Sequence, residues 1–327
     1  MVTSWGRVET GGREVCSDDL VRLSEHVTLS RGLGRSYGDS SFPASPVREV
    51  GCTALGDRLL SFDSRSGAIC VEAGISLASL AAVFLPRGWF VQVTPGTSCV
   101  TLGGMVAADV HGKNHHVDGC FAESVDGIRL RVANGQLIEC TPEHESDLFW
   151  ATMGGMGLTG HILEVRFRMR KLKVPWIESQ SSRVDTIDEL FDELEASSRS
   201  WSHTVAWVDA LKSGARFGRG IVYRGRWSDS DTTPRAVPIL PSTLTVPFDA
   251  PEWLLNRWSV GCFNDVVYST RGRSPRTAVQ SPYKFFYPLD QIGQWNRLYG
   301  RRGFTQHQCV IPSENASDGV KHILDIV

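Results

Sequence analysis

The sequence contains no stretch of ~18 consecutive apolar residues, the length a membrane-crossing helix needs. Its opening, MVTSWGRVETGG, also lacks the apolar run of a secretory leader. Positive charge is not in surplus: 34 Lys and Arg face 36 Asp and Glu, for a formal net charge of −2. That balance excludes a general nucleic-acid binder, which must neutralise phosphates with a basic surface. Eight cysteines occur, without any CxxC, and their scatter in a long chain lacking a leader favours free thiols over a disulfide framework. There is no internal repeat and no GxxxxGK[ST] phosphate loop. The one histidine cluster, HGKNHH (His111 to His116), has a poor zinc spacing, because His115 and His116 diverge on any regular element. These absences predict a cytoplasmic globular protein that holds no metal.

What is present fits two domains. A chain of 327 residues exceeds one ordinary core, and 41% hydrophobic with 21% charged residues are globular values. GHILEVRFRMR alternates Leu163, Val165, Phe167 and Met169 with Glu164, Arg166 and Arg168, the period of a half-buried strand. VDGIRLRVANGQLIECTP reads as a hairpin with Asn134-Gly135 in a tight primed turn. EHESDLFWATMGG reads as a helix capped by Ser146 or Asp147 and ended by Gly154. Past Pro175 the composition shifts, with seven of the 10 tryptophans in the second half. There TIDELFDELEASSRS places Ile187, Leu190, Phe191 and Leu194 on one helical face, and five prolines from Pro234 to Pro251 impose a long loop. The pattern is α+β.

Glycine carries the chemistry. RGLGRSYGDSS, residues 31 to 41, follows the strand-like HVTLS. Glycine lets backbone amides approach a phosphate closely, so Arg31 to Asp39 could cradle a pyrophosphate; taken alone, it reads more readily as a structural turn. A Rossmann site fits poorly, since Gly32, Gly34 and Gly38 have the wrong spacing and no acid stands ~20 residues on, at Gly51 to Thr53. VQVTPGTSCVTLGGMVAADVHGKNHH then supplies a helix of small residues, Gly103, Gly104, Ala107 and Ala108, that admits either a ligand or a closely packed neighbour. MGGMGLTG (153 to 160) adds four more glycines before the last strand. Three such segments interleaved with strands suggest a large, flat, diphosphate-bearing cofactor.

RGLGRSYGD, PGTxxVTLGGMVAxDxHGKNHH, DLFWATMGGxGLTG, FYPLDxxGxWNRxYG and GFTQxQxVIP occur here in one order. In this the chain resembles the flavin-dependent oxidases of the vanillyl-alcohol oxidase superfamily, along essentially its whole length. The resemblance implies an FAD-binding domain at 1–172 and a substrate (cap) domain with an antiparallel sheet at 173–327. It implies FAD contacts at Gly32, Gly34, Arg35, Ser36, Tyr37, Thr97, Thr101, Gly103, Gly104, Gly157 and Gly160, with His111, Lys113 and Asn114 beside the isoalloxazine. His111 and Lys113 are the catalytic candidates, and Tyr37, His111, Trp207, Tyr287, Gln306 and Gln308 would line the substrate pocket. Relatives with covalent flavin often carry histidine where this chain has Arg35, whose guanidinium is no nucleophile at neutral pH, so the FAD is expected to be non-covalent.

Within the superfamily, the match implies oxidation of the 2′-hydroxyl of a polyprenylphosphoryl-β-D-ribose to the 2′-keto sugar. An NADH-dependent short-chain reductase would complete an epimerisation in arabinan synthesis for the cell wall. Peripheral contact with the inner face of the plasma membrane, through Ile239, Leu240, Leu244 and Phe248, is the matching expectation. The family continues beyond GVKHILDIV, which reads as mid-helix, and its later segment supplies a lysine and a tyrosine to the active site. A C-terminally shortened chain with weaker FAD retention is therefore expected. An aldonolactone or sugar oxidase, and a non-catalytic flavin-binding fragment, remain as alternatives.

Overall fold

The computed structural model describes residues 1–43, 48–230 and 244–326. Its first half is organised by the strand His161–Lys171, whose alternation buries Leu163, Val165, Phe167 and Met169 as expected. This strand pairs antiparallel with Val125–Arg131 on one side and Ala68–Glu72 on the other, and its far end pairs with Trp89–Val91. Leu137–Cys140 and Leu59–Phe62 complete the six-stranded sheet. The polar face shows why basic residues alternate along it. Arg129 meets Glu164 at 2.7 Å, Arg166 meets Glu139 at 2.9 Å and Arg168 meets Asp126 at 2.6 Å. Such exposed pairs add little stability, but they favour one register. The helix Leu77–Phe84, capped by the Ser76 side chain, packs Leu77, Leu80, Ala81 and Phe84 into the same core.

A smaller parallel sheet stands beside it, with Glu49–Cys52 between Arg13–Cys16 and Ser30–Arg31. HVTLS thus contributes only its last residue to a strand. Val27 turns into the core instead, and the chain leaves the sheet at Gly32.

Two other local expectations are corrected. The 131–137 connection is not a two-residue primed turn, because Asn134 does not take the positive φ such a turn requires; only Gly135 does, at +86°. The Gly135 amide donates to the Val132 carbonyl at 2.9 Å, and the Asn134 side chain accepts from the Gln136 amide. The hairpin therefore closes through a wider turn with its glycine in the left-handed position. The helix Ser146–Thr152 begins at Glu145, with φ +51° and no side-chain cap, rather than at Ser146 or Asp147. Left-handed Gly154 follows its end.

In the second half, an antiparallel sheet runs in the order His203–Val208, Gly220–Trp227, Ile177–Val184, Arg276–Gln280. Thr186 caps the helix Ile187–Ser198, which covers one face through buried Ile187 and Leu190 and half-buried Phe191 and Leu194. A buried ion pair, Arg219 with Asp209 at 2.7 Å, takes a third partner from Asn264, which fixes the helix Arg257–Ser269 to the sheet. Ile239 and Leu240 of the proline-rich loop lie outside the described residues, while Leu244 and Phe248 beyond them are exposed.

The two halves share one core. Tyr283, Phe285, Phe286 and Tyr287, on and just after the short helix Pro282–Phe286, join the same buried cluster as Phe90 and Phe167. Phe286 stacks on Phe90 with centroids 5.8 Å apart, and Trp227 of the second sheet closes on both rings. The chain from 282 to 308 therefore returns to the first half.

His203 sits at this junction, 2% exposed, with its Nδ1 2.9 Å from Ser202 Oγ. Burial, aided by Arg170, lowers its pKa from 6.5 to about 4. The folded chain thus prefers the neutral ring, while the unfolded chain takes up a proton as pH falls through the ordinary histidine range. Stability is full at neutral pH and is lost progressively toward pH 4, by up to about 3 kcal/mol. Urea unfolding at pH 7 and pH 4.5 should show this loss, and His203→Gln should remove most of the difference between the two pH values.

Candidate active site

The first glycine loop is held from beneath by Arg31. This buried guanidinium donates to Ser41 Oγ at 2.8 Å and to the Thr3 carbonyl at 2.7 Å, and its Nε pairs with the Glu14 carboxylate at 2.7 Å. Gly34, at φ +64°, passes directly over that guanidinium, and a Cβ there would collide with Nη2. Gly32 passes as closely over Thr101, whose Oγ1 would meet any added Cβ. Thr101 cannot yield, because the same oxygen accepts from the Gly104 amide and caps the small-residue helix Leu102–Ala107. Gly103 lies against Ala73 of the neighbouring strand connection.

A cleft of about 580 Å³ opens between these segments. Gly32, Gly34, Arg35, Ser36, Tyr37, Thr101, Gly103, Gly104, Gly157 and Gly160 all line it, and Gln306 and Gln308 reach it from the returning segment. Arg35 lies over the Trp5 ring at 3.9 Å, and its buried Nε has no hydrogen-bond partner among the described residues. A Cβ on Gly38 or Gly157 would meet nothing within 4 Å. A long cavity walled by bare backbone, with an unpartnered guanidinium NH at its edge, fits a flat diphosphate cofactor.

A second cavity of about 520 Å³ begins one residue further along the chain: Val110 lines the first and His111 the second. Thr94 to Gly96, His111, Lys113, His115 and His116 form one wall, and Leu194, Glu195, Ser198 and Thr204 to Ala206 the other. Lys113 anchors the junction. Its carbonyl accepts from the Thr204 amide at 2.8 Å, and its Nζ donates to the Phe286 carbonyl at 3.0 Å. Burial lowers the Lys113 pKa to about 8, and no carboxylate pairs with it among the described residues. Burial and the neighbouring His116 also lower the His115 pKa. His116 Nε2 lies 3.1 Å from the Trp201 carbonyl.

Four of the residues singled out in the sequence line neither cavity. Thr97 donates to Asp290 at 2.6 Å. Asn114 is fully buried and bonds to the Gln92 carbonyl and to Asp118. Tyr287 is buried with its hydroxyl 2.6 Å from Thr94 Oγ1, and burial raises its pKa far above the ordinary tyrosine value. Trp207 lies half-buried in the second sheet, opposite Ile221. Sequence reading missed the supports of the site: Thr3, Glu14 and Ser41 around Arg31, and Asp290, which accepts from Thr97 Oγ1 and from both the amide and the hydroxyl of Ser98. No local signal joins Asp290 to a turn so distant in sequence.

Comparison with known proteins bears on the family and the cofactor. The model of the FAD binding domain matches residues 28–141. The decaprenylphosphoryl-beta-D-ribose oxidase of Mycolicibacterium smegmatis is 35% identical over 98% of this chain and 74% of its own length. The chain belongs to this family of FAD-dependent oxidases. An uncharacterized protein of Streptomyces coelicolor is 34% identical over 76% of the chain and 70% of its own, and a putative D-arabinono-1,4-lactone oxidase of Neurospora crassa is 25% identical over 62% and 36%. The flavin oxidase is thus an oxidoreductase with FAD as its cofactor and an α+β fold.

Gly32→Val should drive a branched side chain into Thr101, break the cap and narrow the cleft. Flavin content after gel filtration should fall at least about tenfold relative to wild type, and acid precipitation of wild type should leave a colourless pellet under a yellow supernatant.

Proposed function

We propose that the chain oxidises the 2′-hydroxyl of a polyprenylphosphoryl-β-D-ribose to the 2′-keto sugar, with FAD held non-covalently in the first cleft. The observation that carries this reading is Lys113, a half-buried cation facing the second cavity without a carboxylate partner among the described residues. It suits an anionic substrate or the alkoxide that develops as a hydroxyl loses its proton. The likeness to an enzyme named for decaprenylphosphoryl-β-D-ribose supports a substrate of that class.

Within the FAD-binding half, which we take to end near residue 172, the loops at 32–38, 103–104 and 157–160 would hold the cofactor through backbone contacts, and Arg35 would offer its free NH. FAD supplies a hydride acceptor when bound. His111, next to Val110 of the cofactor cleft, is positioned to take the hydroxyl proton. Lys113 holds positive charge close to the oxygen that loses it. Its link to the Phe286 carbonyl keeps the ammonium from swinging away. The wall from Leu194 to Ala206 would screen the reacting carbon from one side. Tyr37, Gln306 and Gln308 border the cofactor cleft and would meet the sugar from that side. The keto product then passes to an NADH-dependent reductase that completes the epimerisation. The lactone oxidase among the relatives gives a second reading, which turnover of a free aldonolactone with peroxide release would favour.

Anaerobic addition of a prenylphosphoryl ribose analogue should bleach the flavin bands, whereas ribose lacking the phosphoryl group should not. In steady state, kcat/KM should fall above about pH 8 as the free enzyme's Lys113 loses its charge. Lys113→Met should abolish that limb and lower kcat/KM about ten- to a hundredfold at pH 7. A kcat/KM that rises through pH 8 would overturn this role for Lys113.

No helix among the described residues is long and apolar enough to cross a membrane, yet a prenyl substrate must be met at a bilayer. Peripheral docking at the inner face of the membrane through the loop that ends in exposed Leu244 and Phe248 meets that need. Liposome flotation should weaken on deletion of residues 234–251, and unchanged flotation would count against the loop.

A further inference from the structure

Behind the first cavity, the parallel sheet brings together three side chains that line neither cavity. Glu14 and Cys16 stand two apart on Arg13–Cys16 and so share a face. The parallel register sets Cys16 opposite Cys52 on the neighbouring strand. One carboxylate oxygen of Glu14 and the two sulfurs all lie within 4.8 Å of one another. Metal–ligand distances of ~2.0–2.3 Å in a tetrahedral zinc site separate the ligand atoms by about 3.3–3.8 Å, so a small rotamer adjustment closes the triangle.

We propose that Glu14, Cys16 and Cys52 form a binding site for a thiophilic divalent cation, with zinc as the reference ion. Two thiolates select a soft or borderline metal over magnesium and calcium, which prefer all-oxygen shells. Arg31 stands beside the Glu14 carboxylate, its Nε 2.7 Å away, where a charged outer partner of a metal ligand would stand. Charge balances as well: two thiolates and a carboxylate are offset by the dication and the Arg31 guanidinium. Glu14 and Cys16 are exposed while Cys52 is buried, which gives the ion an entry path and leaves a fourth position for water. On binding, the two thiols release their protons to solvent, two metal–sulfur bonds form, and the ion exchanges hydration water for the three ligands. No electron is transferred. The same register would allow a disulfide between Cys16 and Cys52, but Glu14 would have no part in it.

The test uses the full chain, reduced, stripped with chelator and held without oxygen, titrated with zinc against a chromophoric chelator and separately with cobalt(II). Wild type should take up one tight equivalent of zinc and develop thiolate-to-cobalt charge-transfer absorption. Cys16→Ser and Cys52→Ser should each lose both signals, with Cys16→Ser decisive if the buried substitution unfolds the chain. Glu14→Gln should weaken zinc binding about ten- to a hundredfold, and Cys262→Ser, at an exposed thiol elsewhere, should bind as wild type. No stoichiometric uptake by wild type, uptake unchanged in Cys16→Ser, or affinity unchanged in Glu14→Gln would each overturn the site.

Discussion

Arg31 gathers Thr3, Glu14 and Ser41 around one buried guanidinium, and the geometry of the cofactor cleft depends on that gathering. A glycine loop has no side chains with which to hold its own shape. Here the shape is imposed from outside, by a planar cation beneath Gly34 and by the Thr101 hydroxyl beneath Gly32. Both supports are themselves fixed, the guanidinium by three partners and the hydroxyl by its capping bond to Gly104. Backbone can then face a ligand without collapsing onto its neighbours.

The segment from 282 to 308 does for the second cavity what Arg31 does for the first. Its aromatic residues complete the shared core, its Asp290 pins the 97–98 turn, and its Phe286 carbonyl holds the Lys113 ammonium. Phe304 then packs edge-on against Tyr37, and Asn296 donates to the Trp5 carbonyl, close to the first glycine loop. One stretch of chain therefore touches both cavities together. This explains how the half-buried Lys113 keeps its place without a carboxylate among the described residues: its position is set by packing and one carbonyl, and its charge stays available for a ligand.

Strong periodicity made much of this legible in the sequence. The His161–Lys171 strand and the Ile187–Ser198 helix follow from alternation and from one apolar face, because a half-buried element must repeat with its own geometry. The three glycine segments announced a ligand, and ten of the residues singled out in them line one cleft. Capping chemistry was less readable: Glu145 begins its helix from a left-handed backbone that no side-chain preference signals. Least readable were partners distant in sequence. Tyr287 carries a motif usually read as pocket lining, yet its hydroxyl is occupied by Thr94. Asp290 sits in the short 3-10 helix Pro288–Gln291 and shows its role only when the fold carries it to Ser98. Such pairings arise from tertiary closure, which local pattern does not encode.

The bond between the Tyr287 and Thr94 hydroxyls, fully buried, also bears on how the second cavity is reached. Hinged parting of the two halves would break it, strip Lys113 from the Phe286 carbonyl and expose the Phe90–Phe286 stack to water. That seam behaves as a weld rather than a hinge. Access to the second cavity then falls to its exposed rim at His115, His116 and Glu195, the side from which the proposed substrate would enter with its tail left outside.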